Sequence, residues 1–509
     1  AHISKPHMLH RCLSGLAKRS IIPRLVVMQL DEATSATSSS NTDVRDRFKS
    51  LFTPNLQQLS SIFAKHGFEL RLAGGAVRDL LMSKTPHDLD FATTATPEEM
   101  VSMFNAEGVR MINSNGLAHG TVTARIGDAE NFEVTTLRID RVTNGRHAIV
   151  EFTRDWALDA SRRDLTINAM FLDLEGQLYD YFNGRYDLAT RRVRFVGDAG
   201  DRIREDYLRI LRYFRFHGRI AERRLMPSSV ADDADKETLA AVAQNATGLG
   251  GIAGERIWVE LKQILAGRRP DDLIEAMASC GVCTFIGLPA EPNVQELSVV
   301  LNRLPLTPTM SEYRPVPAVF LAALLRSNDE LETAHARLKF SNEELGVLRF
   351  VLEHRGAALA LVDNSASVEE QRDFYQDLAA LTSGKDPRTK QRVVQLLLYT
   401  GQAATLLPTI SQWWPPKFPV NGHSILSNWR LSIAGKGPIL GQIIDLLRLE
   451  WRDSRYTADE ATLLREEVRV RVLTQLGQST VKRSNDSSGD STCDAIDRSD
   501  KTKKKSKNK

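Results

Sequence analysis

Between about residues 45 and 180 the apolar positions switch repeatedly between two periods. The stretch "FELRLAGG" (68–75) alternates apolar and polar residues and stops at a glycine pair, which predicts a strand, and "AVRDLLMS" (76–83) has helical spacing. A second short strand is predicted at "DLDFAT" (88–93), and "TVTARIGDAENFEVTTLR" (121–138) reads as a hairpin turning near "GDAEN". After about Arg185 the strand signals fade. Helical periods then run to about 475, as in "DYLRILRYFRFHGRI", "ERIWVELKQILA", "VPAVFLAALLR" and "GQIIDLLRLEWRD". The predicted class is α+β: an N-terminal head with a mixed or antiparallel sheet, followed by an elongated all-helical remainder. No fixed-period repeat calls for a solenoid.

At 509 residues the chain is too long for one core. No stretch approaches 18 apolar residues, so no membrane partner is expected. The formal charge of +3 comes from 67 basic against 64 acidic residues, a balance that leaves room for a basic groove inside a neutral average. Four cysteines are too sparse for a disulfide scaffold. The lone "CGVC" at Cys280 and Cys283 lacks a second pair for zinc and reads as two buried small hydrophobes.

The ends differ from the middle. Residues 1–30 carry Lys5, Arg11, Lys18, Arg19 and Arg24 with no acid before Asp31, then run into "EATSATSSSNT". Residues 1–40 are therefore expected to form a mitochondrial-type targeting segment. Met8 and Met28 are candidate starts. Starting at Met28 removes the basic stretch and leaves a cytoplasmic or nuclear form. Residues 479–509, polar and lysine-rich at the tip, are expected to be disordered.

In a strand, residues i and i+2 share a face, so Asp88 and Asp90 should converge while Leu89 and Phe91 face the core. Two adjacent carboxylates repel unless cations neutralise them, and magnesium bound by carboxylate oxygens does so. Two ions roughly 3.5–4 Å apart would suit phosphoryl or nucleotidyl transfer. Gly74 and Gly75 would let backbone N–H groups approach triphosphate oxygens, with Arg78 adding a charge-assisted contact. A solvated surface pair is the competing reading of the two aspartates alone.

The surrounding text resolves that choice. "LAGGAVRDLLMSKTPHDLDFATTATPEE" resembles the signature of class II tRNA nucleotidyltransferases, the CCA-adding enzymes, and of their bacterial poly(A) polymerase relatives in the superfamily named for polymerase beta. "RRDLTINAMF" (162–171), "YDYFNGRYDL" (179–188), "REDYLRILRYF" (204–214) and "GERIWVELKQIL" (254–265) follow in the family's order, and "PVNGHSIL" (419–426) extends the likeness less specifically. The resemblance implies a catalytic head over 41–184, a base-selecting neck over 185–270, and a body (271–400) and tail (401–478) that hold tRNA. It implies CTP and ATP as substrates, magnesium as cofactor, and a monomer or weak homodimer.

It also implies that Glu205, Asp206, Arg209 and Arg212 select the incoming base. If Asp206 and Arg209 lie three apart on a helix, their heads can meet one planar ligand. A carboxylate accepts from an exocyclic amine and a guanidinium donates to a ring nitrogen, so one pair fits cytosine and adenine. Uracil and guanine reverse both partners. An ordinary i,i+3 salt bridge is the bland alternative.

Arg162, Arg163, Asp164 and Asn168 resemble the motif that holds ribose and phosphates, with Asp164 as acceptor for a ribose hydroxyl. Gly184 would permit the turn of a hinge between head and neck. "RIDRVTNGRHAIVEFTRDW" (138–156) resembles the family's flexible loop, and Glu133 is a candidate third acid near the metals. Candidate RNA contacts are "GRRP" (267–270), "KDPRTKQR" (385–392) and "WWPPK" (413–417), whose Trp413 and Trp414 either stack on bases or sit in the core. The expected activity is template-free addition of the 3′-terminal CCA to tRNA. Poly(A) polymerase, a partial CC- or A-adding enzyme and a silent RNA-binding protein stand as alternatives.

Overall fold

The computed structural model describes residues 27–29, 48–112, 114–144, 147–225, 233–304, 313–383, 388–413, 416–431 and 437–486. Two compact units divide the chain, Ala1–Glu353 and His354–Lys509.

The first unit holds the sheet. Ten strands are defined: β1 (Val27–Gln29), β2 (Leu70–Ala73), β3 (Asp90–Thr93), β4 (Arg110–Ile112), β5 (Thr121–Ile126), β6 (Glu130–Thr136), β7 (Arg138–Asn144), β8 (His147–Phe152), β9 (Met170–Leu172) and β10 (Gln177–Asp180). Eight form one sheet in the order β1-β10-β9-β2-β3-β6-β5-β4, and β7 and β8 form a separate hairpin. Its neighbours run antiparallel apart from β3 and β6, which are parallel. All four residues of β2 are buried, as a central strand covered on both faces requires. Arg71 survives there because its guanidinium lies 3.5 Å from the Tyr179 ring centroid and 4.0 Å from that of Trp156. β5 and β6 form the expected hairpin, turning at Gly127 and Asp128, both left-handed.

Several expectations change. Asp88 lies just before β3 and not in it, because β2 ends at Ala73, where Gly74 turns the chain at φ 61°. The ladder with β2 therefore stops at Leu72↔Phe91, and Asp90 keeps only its pairing with Glu133 of β6. The stretch expected as a flexible loop contains the β7–β8 hairpin, with a bulge between Asp140 and Val142. In the "NG" turn it is Asn183 that takes the left-handed conformation, at φ 60°. Gly184 is needed for space instead: an ideal Cβ there would lie 2.2 Å from the Thr166 carbonyl oxygen.

Of the expected targeting segment, only Val27–Gln29 is described, paired with β10; the rest lies outside the described residues. At the other end, the helix Glu466–Asp486 runs into the stretch expected to be disordered, since no proline stops its period, and residues 487–509 lie outside the described residues.

Five helices position the site: α1 (Gly75–Leu81), α2 (Trp156–Ser161), α3 (Ala199–Glu205), α4 (Arg209–Ile220) and α5 (Gly254–Leu265). In α4 the apolar positions are buried, and Arg209, Arg212, Arg215 and Arg219 recur at helical spacing as one basic ridge.

The second unit is helical among its described residues. Its core gathers Ile425, Trp429, Ile443, Leu447, Trp451, Leu463 and Val472, with the Trp429 indole donating to the Leu464 carbonyl at 2.9 Å. Trp413 is half-buried with its ring 5.8 Å from that of Tyr456, which favours packing over stacking on a base; Trp414 lies outside the described residues.

Candidate active site

A cavity of about 880 Å³ opens in the first unit between the sheet and helices α3 to α5. Every sequence-predicted site residue lines it: Asp88 and Asp90; Gly74, Gly75 and Arg78; Arg162, Arg163, Asp164 and Asn168; Asp206, Arg209 and Arg212. So do Glu133 and Glu205. Nine arginines and eight carboxylates meet there, so ion pairing decides which groups stay free for a ligand.

The carboxylate end comes from the sheet. Burial pushes the Asp90 carboxyl above its usual range and the Asp88 charge adds to the push, with Arg163 pulling the other way. Such a pair gains from a cation, so the residues fit a divalent ion. Glu133 is in register with Asp90 on the adjacent parallel strand. Among the described residues no group of three or more acidic, histidine or cysteine side chains is placed to hold a metal. Two carboxylates leave the remaining positions to phosphate oxygens and water, the usual case for magnesium.

The glycine turn is shaped by its neighbours. An ideal Cβ on Gly74 would sit 2.8 Å from Arg163 Nη1, on a backbone already left-handed. Arg78 is buried; its Nη1 donates to Asn168 Oδ1, and the guanidinium centre lies 4.8 Å from the Phe216 ring centroid.

Asp159, absent from the sequence-based site, organises the arginine pair. It is 1 % exposed on α2 and takes Arg162 at 2.7 Å and Arg163 at 3.0 Å. It also accepts from the Arg138 backbone N–H at 3.2 Å, tying the start of β7 to the same carboxylate. Burial opposes its ionisation, but Arg163 and Arg162 more than offset that and hold the carboxyl below its usual range. The i,i+3 and i,i+4 spacing to two arginines is a signal that was present in the sequence.

Asp164 does not offer the free acceptor expected for a ribose hydroxyl. Its Oδ2 takes Arg212 Nε and Nη2, both at 2.6 Å, and its Oδ1 takes the Leu165 N–H at 2.8 Å and Asn168 Nδ2 at 3.2 Å. Those four contacts fill a carboxylate's acceptor sites. Asp164 thus orients Arg212. Burial works against the Arg212 charge, and Asp164 outweighs it, raising the guanidinium's affinity for its proton. Glu260 of α5, also missed, pairs with Arg215 at 2.9 Å.

Asp206 and Arg209 are not on one helix. Asp206 is extended (φ −151°, ψ 107°) at the break where α3 ends, and Arg209 is the first residue of α4. They form no i,i+3 pair: Asp206 Oδ2 accepts from Arg256 at 2.8 Å, and Arg209 pairs with Glu205 at 2.7 Å and donates to the Arg162 carbonyl at 2.8 Å. The break aims both heads into the cavity by separate supports.

Cys283 is buried and Cys280 half-buried, both free, and burial pushes their thiols up to about 12 and about 11. Neither is poised for redox or metal chemistry. Among the described residues no helix is long and apolar enough to cross a membrane.

A carboxylate pair at the start of β3 facing an arginine-rich wall fits a nucleotidyltransferase head. The family model "Poly A polymerase head domain" matches residues 70–194, and "Probable RNA and SrmB- binding site of polymerase A" matches residues 233–289. The chain is 48 % identical over 417 residues to CCA tRNA nucleotidyltransferase 1, mitochondrial, of Mus musculus, covering 82 % of this chain and 90 % of the relative. The Danio rerio protein of that name is also 48 % identical, with 82 % and 91 % covered. The crystal structure of the Bacillus stearothermophilus CCA-adding enzyme in complex with CTP shares the fold, with a TM-score of 0.56 and 24 % identity over 85 % of this chain and all of that one. The chain belongs to the CCA tRNA nucleotidyltransferase family.

Proposed function

We propose that the chain builds the 3′-terminal CCA of tRNA from CTP and ATP without a nucleic-acid template. The observation that carries this reading is that Asp88 and Asp90 line the same cavity as Asp206 and Arg209. One chamber thus offers an acidic end for a reacting phosphate and a donor–acceptor pair for a base.

In the proposed reaction the tRNA 3′-hydroxyl attacks the nucleotide α-phosphate and pyrophosphate leaves. Asp88 and Asp90 would hold magnesium, which neutralises charge on the phosphates and favours loss of the hydroxyl proton. Gly74 leaves room for the Arg163 head, and Arg162 and Arg163, held by Asp159, present fixed positive charge to the triphosphate. Asp206 accepts from the exocyclic amine of cytosine or adenine, and Arg209 donates to the adjacent ring nitrogen. With uracil or guanine each partner would be left unpaired, at about 1–3 kcal/mol apiece. Catalysis then rests on positioning and preorganised charge.

We propose for residues 271–478 the grip on tRNA, although the boundary between the two compact units, at Glu353 and His354, falls inside the expected body. We assign the protein to mitochondria, with cytoplasmic and nuclear forms from Met28, and expect a monomer or weak homodimer. The test supplies the full chain with a tRNA transcript ending before CCA, magnesium and each nucleotide alone and together, and sequences the 3′ ends. CC from CTP, and a final A only with ATP, is the expected result. Long A tails would make it a poly(A) polymerase, and no incorporation would make it a binding protein.

A further inference from the structure

Beside the catalytic cavity lies a second one of about 300 Å³, continuous in its lining with the first because Arg215 and Arg219 of α4 border both. Its lining residues include four cations, Lys84, Arg215, Arg219 and Arg268, and no acid.

Two of the cations are committed. Arg215 pairs with Glu260 and donates to Gln263 at 2.7 Å, and Arg219 reaches Asp79 at 3.1 Å. Lys84 and Arg268 are exposed and have no ion pair among the described residues. They are the cations left to meet a ligand.

The turn that presents Arg268 is fastened deliberately. Gly218 of α4 lets it come close, since an ideal Cβ there would lie 2.7 Å from Leu273 Cδ1 and 3.2 Å from the Arg268 carbonyl oxygen. Arg269 adopts φ 52°, left-handed and unusual for a residue with a side chain. Its guanidinium donates to the Ala221 carbonyl at 2.6 Å and the Glu222 carbonyl at 3.0 Å, clamping the turn onto the end of α4. With Arg269 turned inward as a fastener, Arg268 is left at the cavity.

We propose that Lys84 and Arg268 bind a backbone phosphate of the RNA strand being extended. This rests on the RNA-extending function proposed above. RNA is favoured over departing pyrophosphate because the wall from Gln263 to Leu273 falls within residues 233–289, the stretch matched by the RNA-binding family model, and because the free cations stand at the surface, where a strand can pass. Cations bind phosphate by displacing condensed counterions, so each contact leaves a signature in the salt dependence of affinity.

The test uses full-length Lys84→Gln, Arg268→Gln and the double variant, with fluorescence anisotropy of a labelled tRNA transcript ending before CCA across a salt series. Each neutralisation should weaken RNA binding about threefold near physiological salt, and the double variant, which loses the one phosphate contact, should flatten the log–log salt slope by about 0.7–0.9. The KM for RNA should rise while that for CTP and the inhibition constant of pyrophosphate hold, and Arg268→Lys should restore binding. Wild-type affinity and slope in the double variant would overturn the proposal. So would an RNA-independent rise in the pyrophosphate inhibition constant, which would give the cations to the leaving group. If the wild-type chain binds RNA with the predicted slope but adds no CCA, the assigned function fails while this site stands.

Discussion

The Asp206 carboxylate accepts a hydrogen bond from Arg256 at 2.8 Å, although fifty residues separate them in sequence. One oxygen of Asp206 is thereby fixed by α5, while the other takes the Leu208 N–H at 3.1 Å. The acceptor that would read the base is therefore oriented from outside its own motif.

Replacing it should expose that division of labour. Asp206→Asn offers both a donor and an acceptor, so incorporation of C and A should fall and discrimination against UTP should relax by about tenfold or more. Arg256→Gln should shift selectivity the same way but less, with partial recovery in Arg256→Lys. Competition assays with CTP and UTP, read by 3′-end sequencing, measure both. Unchanged selectivity in Arg256→Gln would mean that the pair is only structural.

Asp88→Ala and Asp90→Ala should each lower incorporation by about a thousandfold or more, since in the proposed reaction several kcal/mol of charge stabilisation depends on the ion they would hold. Affinity for tRNA should stay near wild type. Single-turnover incorporation beside anisotropy separates the two effects.

Two glycines should fail for different reasons. Gly74→Ala drives a Cβ to 2.8 Å from Arg163 Nη1 on a left-handed backbone, so nucleotide KM should rise and stability should fall by about 1 kcal/mol. Gly184→Ala meets the Thr166 carbonyl at 2.2 Å, a backbone atom that cannot step aside, and should cost about 2 kcal/mol or more. Thermal melts and steady-state kinetics distinguish them.

Asp159→Asn removes the buried negative charge that two half-buried arginine heads share. Breaking such a pair costs about 3–5 kcal/mol, so a lower melting temperature should accompany a loss in kcat/KM. The native carboxyl is held below its usual range, so its contribution is present at neutral pH. It is lost as pH falls below about 4, through the depressed folded value.

His217 adds a second, higher acid transition. It is 1 % exposed in α4, neither ring nitrogen has a hydrogen-bond partner among the described residues, and its ring centroid lies 6.0 Å from that of Tyr213. Burial, with Arg269 and Arg223 nearby, lowers its pKa to about 3. Between about 6.5 and that value the unfolded chain binds a proton that the folded one does not. Stability should therefore fall as pH drops through this window, by about 1.4 kcal/mol per pH unit from this residue alone. Urea titrations of wild type and His217→Leu at pH 7 and pH 5 should show a smaller difference in the variant.

Much of this protein is determined by local pattern. Alternation and glycine pairs mark β2 and the β5–β6 hairpin, helical periods mark the rest, and a carboxylate pair beside a glycine turn marks the reacting end of the cavity. Those features depend on neighbours a few residues away, which a sequence displays directly. Where the chain must meet a distant partner, only the folded structure decides. Asp88 leaves β3 because β2 stops at Ala73; Asp164 turns to Arg212, 48 residues on; Asp206 is held by Arg256 instead of pairing with Arg209. A buried charge takes whichever counter-charge packing brings within about 3 Å, and packing is set by the whole core rather than by spacing along the chain.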